Sequence, residues 1–180
     1  RTCRDNTEEL SGAWDMTMVL PDEGIKSLIR EEKRIPPDFF PTIHQVRKGG
    51  HMEGKKDVSG SQGNHFRVII RQGCFNHLDF SIGLLYFPKN SNKAFILKRY
   101  NGKSHQHTNK IEKETFYDFH IHTATERYQE EGIDCEDGYA IVSDRYCEIT
   151  GAMRCMEEDC EFVILTDNVT LDVFGVNNDE

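Results

Sequence analysis

Two H-x-H pairs, His105-Gln106-His107 and His120-Ile121-His122, hold the residues of this chain best suited to grip a metal ion. On a strand, positions i and i+2 share a face, so His120 and His122 can reach one ion together. Asp118 is the nearest further ligand type. No carboxylate or third histidine stands at a spacing that completes the set, so no metal site and no cofactor are expected. His105 and His107 fall in a Gly-Lys-Ser-His-Gln-His-Thr-Asn stretch with the composition of a polar turn. Eight histidines do leave room for a surface that responds to pH, imidazole being the side chain that titrates nearest neutrality.

The cysteines are the second chemical signal. Cys3, Cys74, Cys135, Cys147, Cys155 and Cys160 make an even number with no C-x-x-C pair, which points to disulfides rather than zinc or a reactive thiol. Fifteen pairings are possible for six cysteines, and the sequence does not choose among them. Cys147, Ile149, Met153 and Cys155 occupy odd positions with polar Glu148, Thr150 and Arg154 between them. That period of two predicts a half-buried strand with both cysteines inward. Eight residues of strand separate them by roughly 26 Å, so each must bond a different partner. For covalent catalysis there is no G-x-S-x-G turn, and Gly49-Gly50 lacks the strand-to-helix setting of a phosphate loop, so no enzyme is expected.

Alternation dominates the elements that would carry these residues. Strand signals run through 14–20, 42–46, 65–71, 78–87, 93–100, 115–123, 162–166 and 169–176. Residues 22–29 carry apolar positions at i, i+3 and i+4 behind acidic side chains, so a short helix competes with a strand there; 136–144 reads as a second short helix. Three prolines in Ile35-Pro36-Pro37-Asp38-Phe39-Phe40-Pro41 exclude a central strand or helix. Eight or nine short strands predict an all-β, disulfide-braced two-sheet β-sandwich with one or two short helices, a single domain over 1–180. Trp14 reads as a core anchor, and Asn168-Val169-Thr170 is a formal glycosylation sequon in an expected turn.

The formal net charge is −9. An acidic chain of this kind argues against nucleic acid as partner, because phosphates demand a basic face. No stretch approaches the roughly 20 apolar residues of a membrane span. The chain opens at Arg1 and is expected to be a processed secretory protein, in the endoplasmic reticulum lumen or secreted. One region departs from the overall charge: residues 47–56 read as a basic, glycine-rich loop following the aromatic 35–41 segment. Phe39, Phe40, His44, Arg47, Lys48, His51 and Lys55 are therefore the residues expected to contact a partner, since interfaces favour aromatic anchors and Arg.

Two segments resemble the poxvirus immune evasion family of secreted or lumenal β-sandwich proteins. One is 60–86, where Cys74 closes an alternating strand; the other is 146–159, with its two spaced cysteines ahead of an acidic run. The resemblance implies a sandwich that sequesters a host immune protein. Class I MHC is favoured, with blocked antigen presentation as the outcome; the alternative is a soluble chemokine or cytokine decoy. The basic 47–56 stretch fits a basic chemokine poorly, because like charges repel. A different class of function is also open. Gly12-Ala13-Trp14 resembles the G-x-W motif of the lipocalins, which implies a small-ligand carrier. An apolar cavity within one barrel would favour the carrier, and a filled core between two sheets the decoy.

Overall fold

The computed structural model describes residues 19–89, 93–131 and 137–165. The chain runs α1 (Asp22–Arg30), β1 (Lys33–Ile35), β2 (Gln45–Lys48), β3 (His51–Ser59), β4 (His65–Gly73), β5 (Phe80–Phe87), β6 (Phe95–Asn101), β7 (His107–Asn109), β8 (Glu114–Phe116), β9 (His120–Thr123), α2 (Glu126–Glu130), β10 (Tyr139–Val142), α3 (Ile149–Asp159) and β11 (Phe162–Ile164). It is mostly β. Seven strands form one antiparallel sheet in the order β10-β9-β6-β5-β4-β3-β2, and β1-β11 and β7-β8 make two-stranded sheets beside it. The expected second large sheet is not among the described residues.

The two faces of the large sheet differ because its strands alternate. On β4, Phe66, Val68 and Ile70 are buried while Arg67, Ile69 and Arg71 are at least partly exposed. Register pairs Val68 with Leu84 and Ile70 with Ile82, and Ile82 in turn pairs with Tyr100. These residues make a covered face. Helices α1 and α3 seal it, contributing Ile25, Ile29, Ala152, Cys155 and Met156, all buried in one apolar core. Helix α1 forms as the apolar spacing of 22–29 allows: Ile25 and Ile29 are one turn apart, and Asp22 and Glu23 sit in the first turn, where the helix dipole favours acids.

Several expectations are corrected. Residues 149–159 are helical rather than extended, because Ile149, Ala152, Met153, Met156 and Cys160 also form a stripe at i, i+3, i+4, i+7 and i+11. The helix buries Ala152, Cys155 and Met156 together, which a period-two strand face could not do. One of the two segments behind the immune-evasion resemblance is thus a helix. Residues 139–142 are strand β10, not helix. The basic 47–56 stretch is a tight hairpin: Lys48 pairs with His51 across Gly49-Gly50, and Gly49 adopts the positive φ of 58° that such a turn requires. The 115–123 alternation is split between β8 and β9. Cys74, Cys147, Cys155 and Cys160 are free thiols, so the bracing expected of these four is not formed; burial in the core holds Cys155 and Cys160 instead. Cys3, Cys135, Trp14 and Asn168 lie outside the described residues, as do the strands read over 14–18 and 169–176.

No helix among the described residues is long and apolar enough to cross a membrane.

Candidate functional site

The other face of the sheet is open and bears a cavity of about 990 Å³. Strand alternation dictates its lining. His44, Val46 and Lys48 come from β2 and the residue before it, Glu53 and Lys55 from β3, Ile69 and Arg71 from β4, Ser81 from β5, Arg99 and Asn101 from β6, and His122 from β9. The register runs Val46–Glu53–Arg71–Ser81–Asn101–His120 from strand to strand, so these side chains emerge on one side of the sheet. His107, Thr108 and Lys110 of the β7 region, Tyr128 of α2, and Asp137 and Gly138 complete the wall.

Five Lys or Arg side chains and three carboxylates line the cavity, which gives a positive excess in a chain of net charge −9. The acids are engaged: Glu53 with Lys48 at 2.8 Å, Asp79 with Arg71 at 3.6 Å, and Asp137 with Arg99 at 2.9 Å. The Lys48 bond holds the Glu53 carboxyl below its usual range. Lys55 and Lys110 have no ion-pair partner among the described residues. Val46, Ile69, Ile96 and Tyr128 supply apolar and aromatic surface between the charges.

At one end of the cavity, His107, His120 and His122 each place one ring nitrogen within 4.8 Å of the others'. Sequence spacing offered His120 and His122 as a pair. The third histidine, thirteen residues upstream of His120, is delivered by the excursion β7-β8 that interrupts the meander between β6 and β9. Asn109 fixes that excursion: its amide donates to the Ala140 carbonyl at 2.8 Å and accepts from the Ala140 N–H at 2.9 Å, docking β7 on β10. From the covered side, the Tyr146 hydroxyl donates toward the carbonyls of Asn101 and His120 at 3.0 and 2.8 Å, tying β6 to β9 beneath the cluster.

The hydrogen bonds settle the tautomers. His120 Nδ1 lies 2.6 Å from the Asp118 carbonyl and His122 Nδ1 lies 2.7 Å from the Asp137 carbonyl. A carbonyl only accepts, so both Nδ1 atoms carry the proton and both Nε2 atoms present a lone pair. Asn101 Nδ2 donates to those lone pairs at 3.3 and 3.1 Å. His107 Nε2 lies 3.0 Å from Asn109 Oδ1, an oxygen already identified as an acceptor by the Ala140 N–H, so His107 keeps its lone pair on Nδ1. Burial, with the Arg99 charge and the neighbouring imidazoles adding to it, pushes His122 down to about 2; burial, reinforced by His107, His105 and Arg99, pushes His120 down to about 4. Both rings are neutral at physiological pH.

The structure distributes the residues expected at a partner interface. His44, Lys48 and Lys55 line the cavity, and His51, on the same face, sits 2.8 Å from Asp79. Arg47 pairs with Met52 and belongs to the opposite side of the hairpin. Phe39 is buried, and Phe40 packs edge-on against it and against Phe162, so neither is an exposed anchor. They close the end of the core, and Lys56 reaches over Phe39 to its carbonyl. Ile69, Arg71, Arg99, Asn101 and His107 went unrecognised as site residues. Alternation of 65–71 sets Ile69 and Arg71 on one face with His65 and Arg67, the register shift opposite Leu84/Leu85 is what brings Arg99 to the open face, and the doubled H-x-H motif was the signal for His107.

No family profile, no curated protein and no solved structure matches this chain in comparison with known proteins.

Proposed function

We propose that the protein is a carrier that holds a small, partly apolar anion in the cavity on the open face of its sheet. The observation that carries this reading is the positive excess of the cavity lining, with Lys55 and Lys110 free of ion-pair partners among the described residues, in a chain that is acidic overall. A cavity of about 990 Å³ is at the upper end of the range for small-molecule sites, and its mix of aliphatic surface with a few fixed charges suits an amphipathic carboxylate, sulfonate or sulfate. Cations inside a concave, low-dielectric wall attract an anion more strongly than they would on a flat surface. The function is binding without turnover. One of the two segments that resembled the immune-evasion family is helical here, and Phe39 is buried, so the carrier reading takes precedence over a decoy for class I MHC or a chemokine.

The test is equilibrium binding of an amphipathic anion, 8-anilinonaphthalene-1-sulfonate, followed by fluorescence and competed with alkyl carboxylates and matched alkylammonium ions. Saturable one-to-one binding, displaced by the carboxylates and weakened at least tenfold by Lys55→Glu with Lys110→Glu, is the expected result. Equal displacement by the ammonium series, or an unchanged affinity in the double variant, would overturn the reading.

A further inference from the structure

We infer that His107, His120 and His122 form a binding site for a divalent transition-metal ion of the zinc class, with its remaining coordination position facing the cavity. Three imidazoles are the donor set of open zinc sites, in which a fourth position is left for water or a ligand. The ligand nitrogens lie within 4.8 Å of one another, and a tetrahedral ion with bonds of about 2.0–2.1 Å needs them about 3.3 Å apart. Small rotations of three side chains close that difference, and two of the three sit on one four-residue strand.

Two features mark the cluster as more than packed histidines. First, each ring has its outer nitrogen held by an oxygen acceptor: the carbonyls of Asp118 and Asp137 and the side chain of Asn109. This is the arrangement by which outer-shell partners orient metal-bound imidazoles and fix their tautomers. Second, Asn101 is 4 % exposed and its Oδ1 is buried with no hydrogen-bond partner among the described residues, while its Nδ2 spans the two Nε2 lone pairs. An unpartnered buried amide oxygen is costly and calls for a reason. Turned about its Cβ–Cγ bond as an ion enters, Asn101 releases both lone pairs and offers that oxygen to the ion or to water on it. The site stands whether or not the cavity carries an organic anion.

The probes are zinc and cobalt(II), titrated into the full chain after chelator treatment and removal of the chelator. Calorimetry is expected to show one equivalent of zinc. Cobalt is expected to give the intense visible bands of a four-coordinate, nitrogen-bound ion, bleached by one equivalent of zinc. His107→Ala should lose at least the 10–100-fold in affinity that loss of an outer-shell partner costs. His65→Ala, whose ring stacks on Phe87 at 4.9 Å outside the trio, should bind as the wild type does. No saturable stoichiometric binding by the wild type, a weak six-coordinate cobalt spectrum, or zinc affinity unchanged in a folded His107→Ala protein would overturn the assignment. The wild-type cobalt spectrum needs no variant, so a variant that fails to fold leaves the test standing.

Discussion

Lys33 is fully buried, and replacing it with methionine tests how the two helices are held on the sheet. Its ammonium lies 3.0, 3.0, 2.6 and 3.1 Å from the carbonyl oxygens of Leu28, Ile29, Glu31 and Cys160. Those carbonyls belong to the last turn of α1, the residue that caps it and the cap of α3, where a helix leaves its oxygens without internal donors. An ammonium has three N–H donors for these four oxygens, so its loss removes three hydrogen bonds at about 1–3 kcal/mol each, or roughly 3–9 kcal/mol. Against this stands the penalty on a dry charge. Burial brings the Lys33 pKa down from 10.5 to about 8, a depression that Cys160, Glu31 and Glu161 only partly offset. The difference between those two values corresponds to about 3 kcal/mol between the protonation states. The methionine stem keeps the contact with the Phe66 ring, over which the ammonium sits at 4.5 Å. The balance is a loss of about 3 kcal/mol in Lys33→Met, read as a lower urea midpoint by far-UV circular dichroism at pH 7. The pH dependence has a definite sign. Between about pH 8 and 10.5 the unfolded wild type binds more protons than the folded one, so wild type gains on the variant as pH rises through that window. An equal or higher midpoint for Lys33→Met, or a gap that narrows toward alkaline pH, would refute the reasoning.

Asp159 makes a second junction: its carboxylate takes bonds from Lys98 at 2.7 Å, Tyr100 at 2.8 Å and Arg145 at 2.9 Å. Burial would raise its pKa, but the Lys98 and Tyr100 bonds outweigh that and hold it below the usual carboxylate range. Asp159→Asn should therefore be less stable than wild type at neutral pH, by about 2–4 kcal/mol, and the gap should shrink in acid melts as pH falls below about 4 through the lower folded value. Cys147 is exposed and Cys160 buried, with burial raising the Cys160 thiol to about 11, so a maleimide should label Cys147 in the native protein and Cys160 only after denaturation, as mass spectrometry of tryptic peptides will show.

The meander was legible where a strand buries one side and leaves the other wet, as β4 does, and a period of two reports that directly; β5 buries Ile82, Gly83 and Leu84 in succession and β6 breaks step at a register shift, so there the strand signal lay in apolar content instead. Helix α3 was not, because Ile149 and Met153 belong to both the period-two and the helical stripe; only Ala152 and Met156 distinguish them, and a single apolar stretch does not say which neighbours will cover it. The tight turn at Gly49-Gly50 was hidden by the charges around it. His120 and His122 were readable as a pair on one face of a strand, but the third histidine depends on where the β7-β8 excursion lands. That is set by the Asn109 amide against Ala140, thirty-one residues away in the chain, which no local pattern encodes.

The parallel pair β1-β11 also bears on how the chain comes together. Strands β2 through β6 each join their successor through a short connection, so most of the sheet can assemble from contacts between near neighbours in sequence. Pairing Lys33 with Phe162 instead brings together opposite ends of the described chain, and the entropy of closing so long a loop must be recovered by what that closure buries. What it buries is the Lys33 ammonium and its ring of carbonyls, since one of the four comes from Cys160 beside β11. The clasp therefore joins two distant parts of the described chain around a charge whose burial needs the Cys160 carbonyl that only this closure supplies.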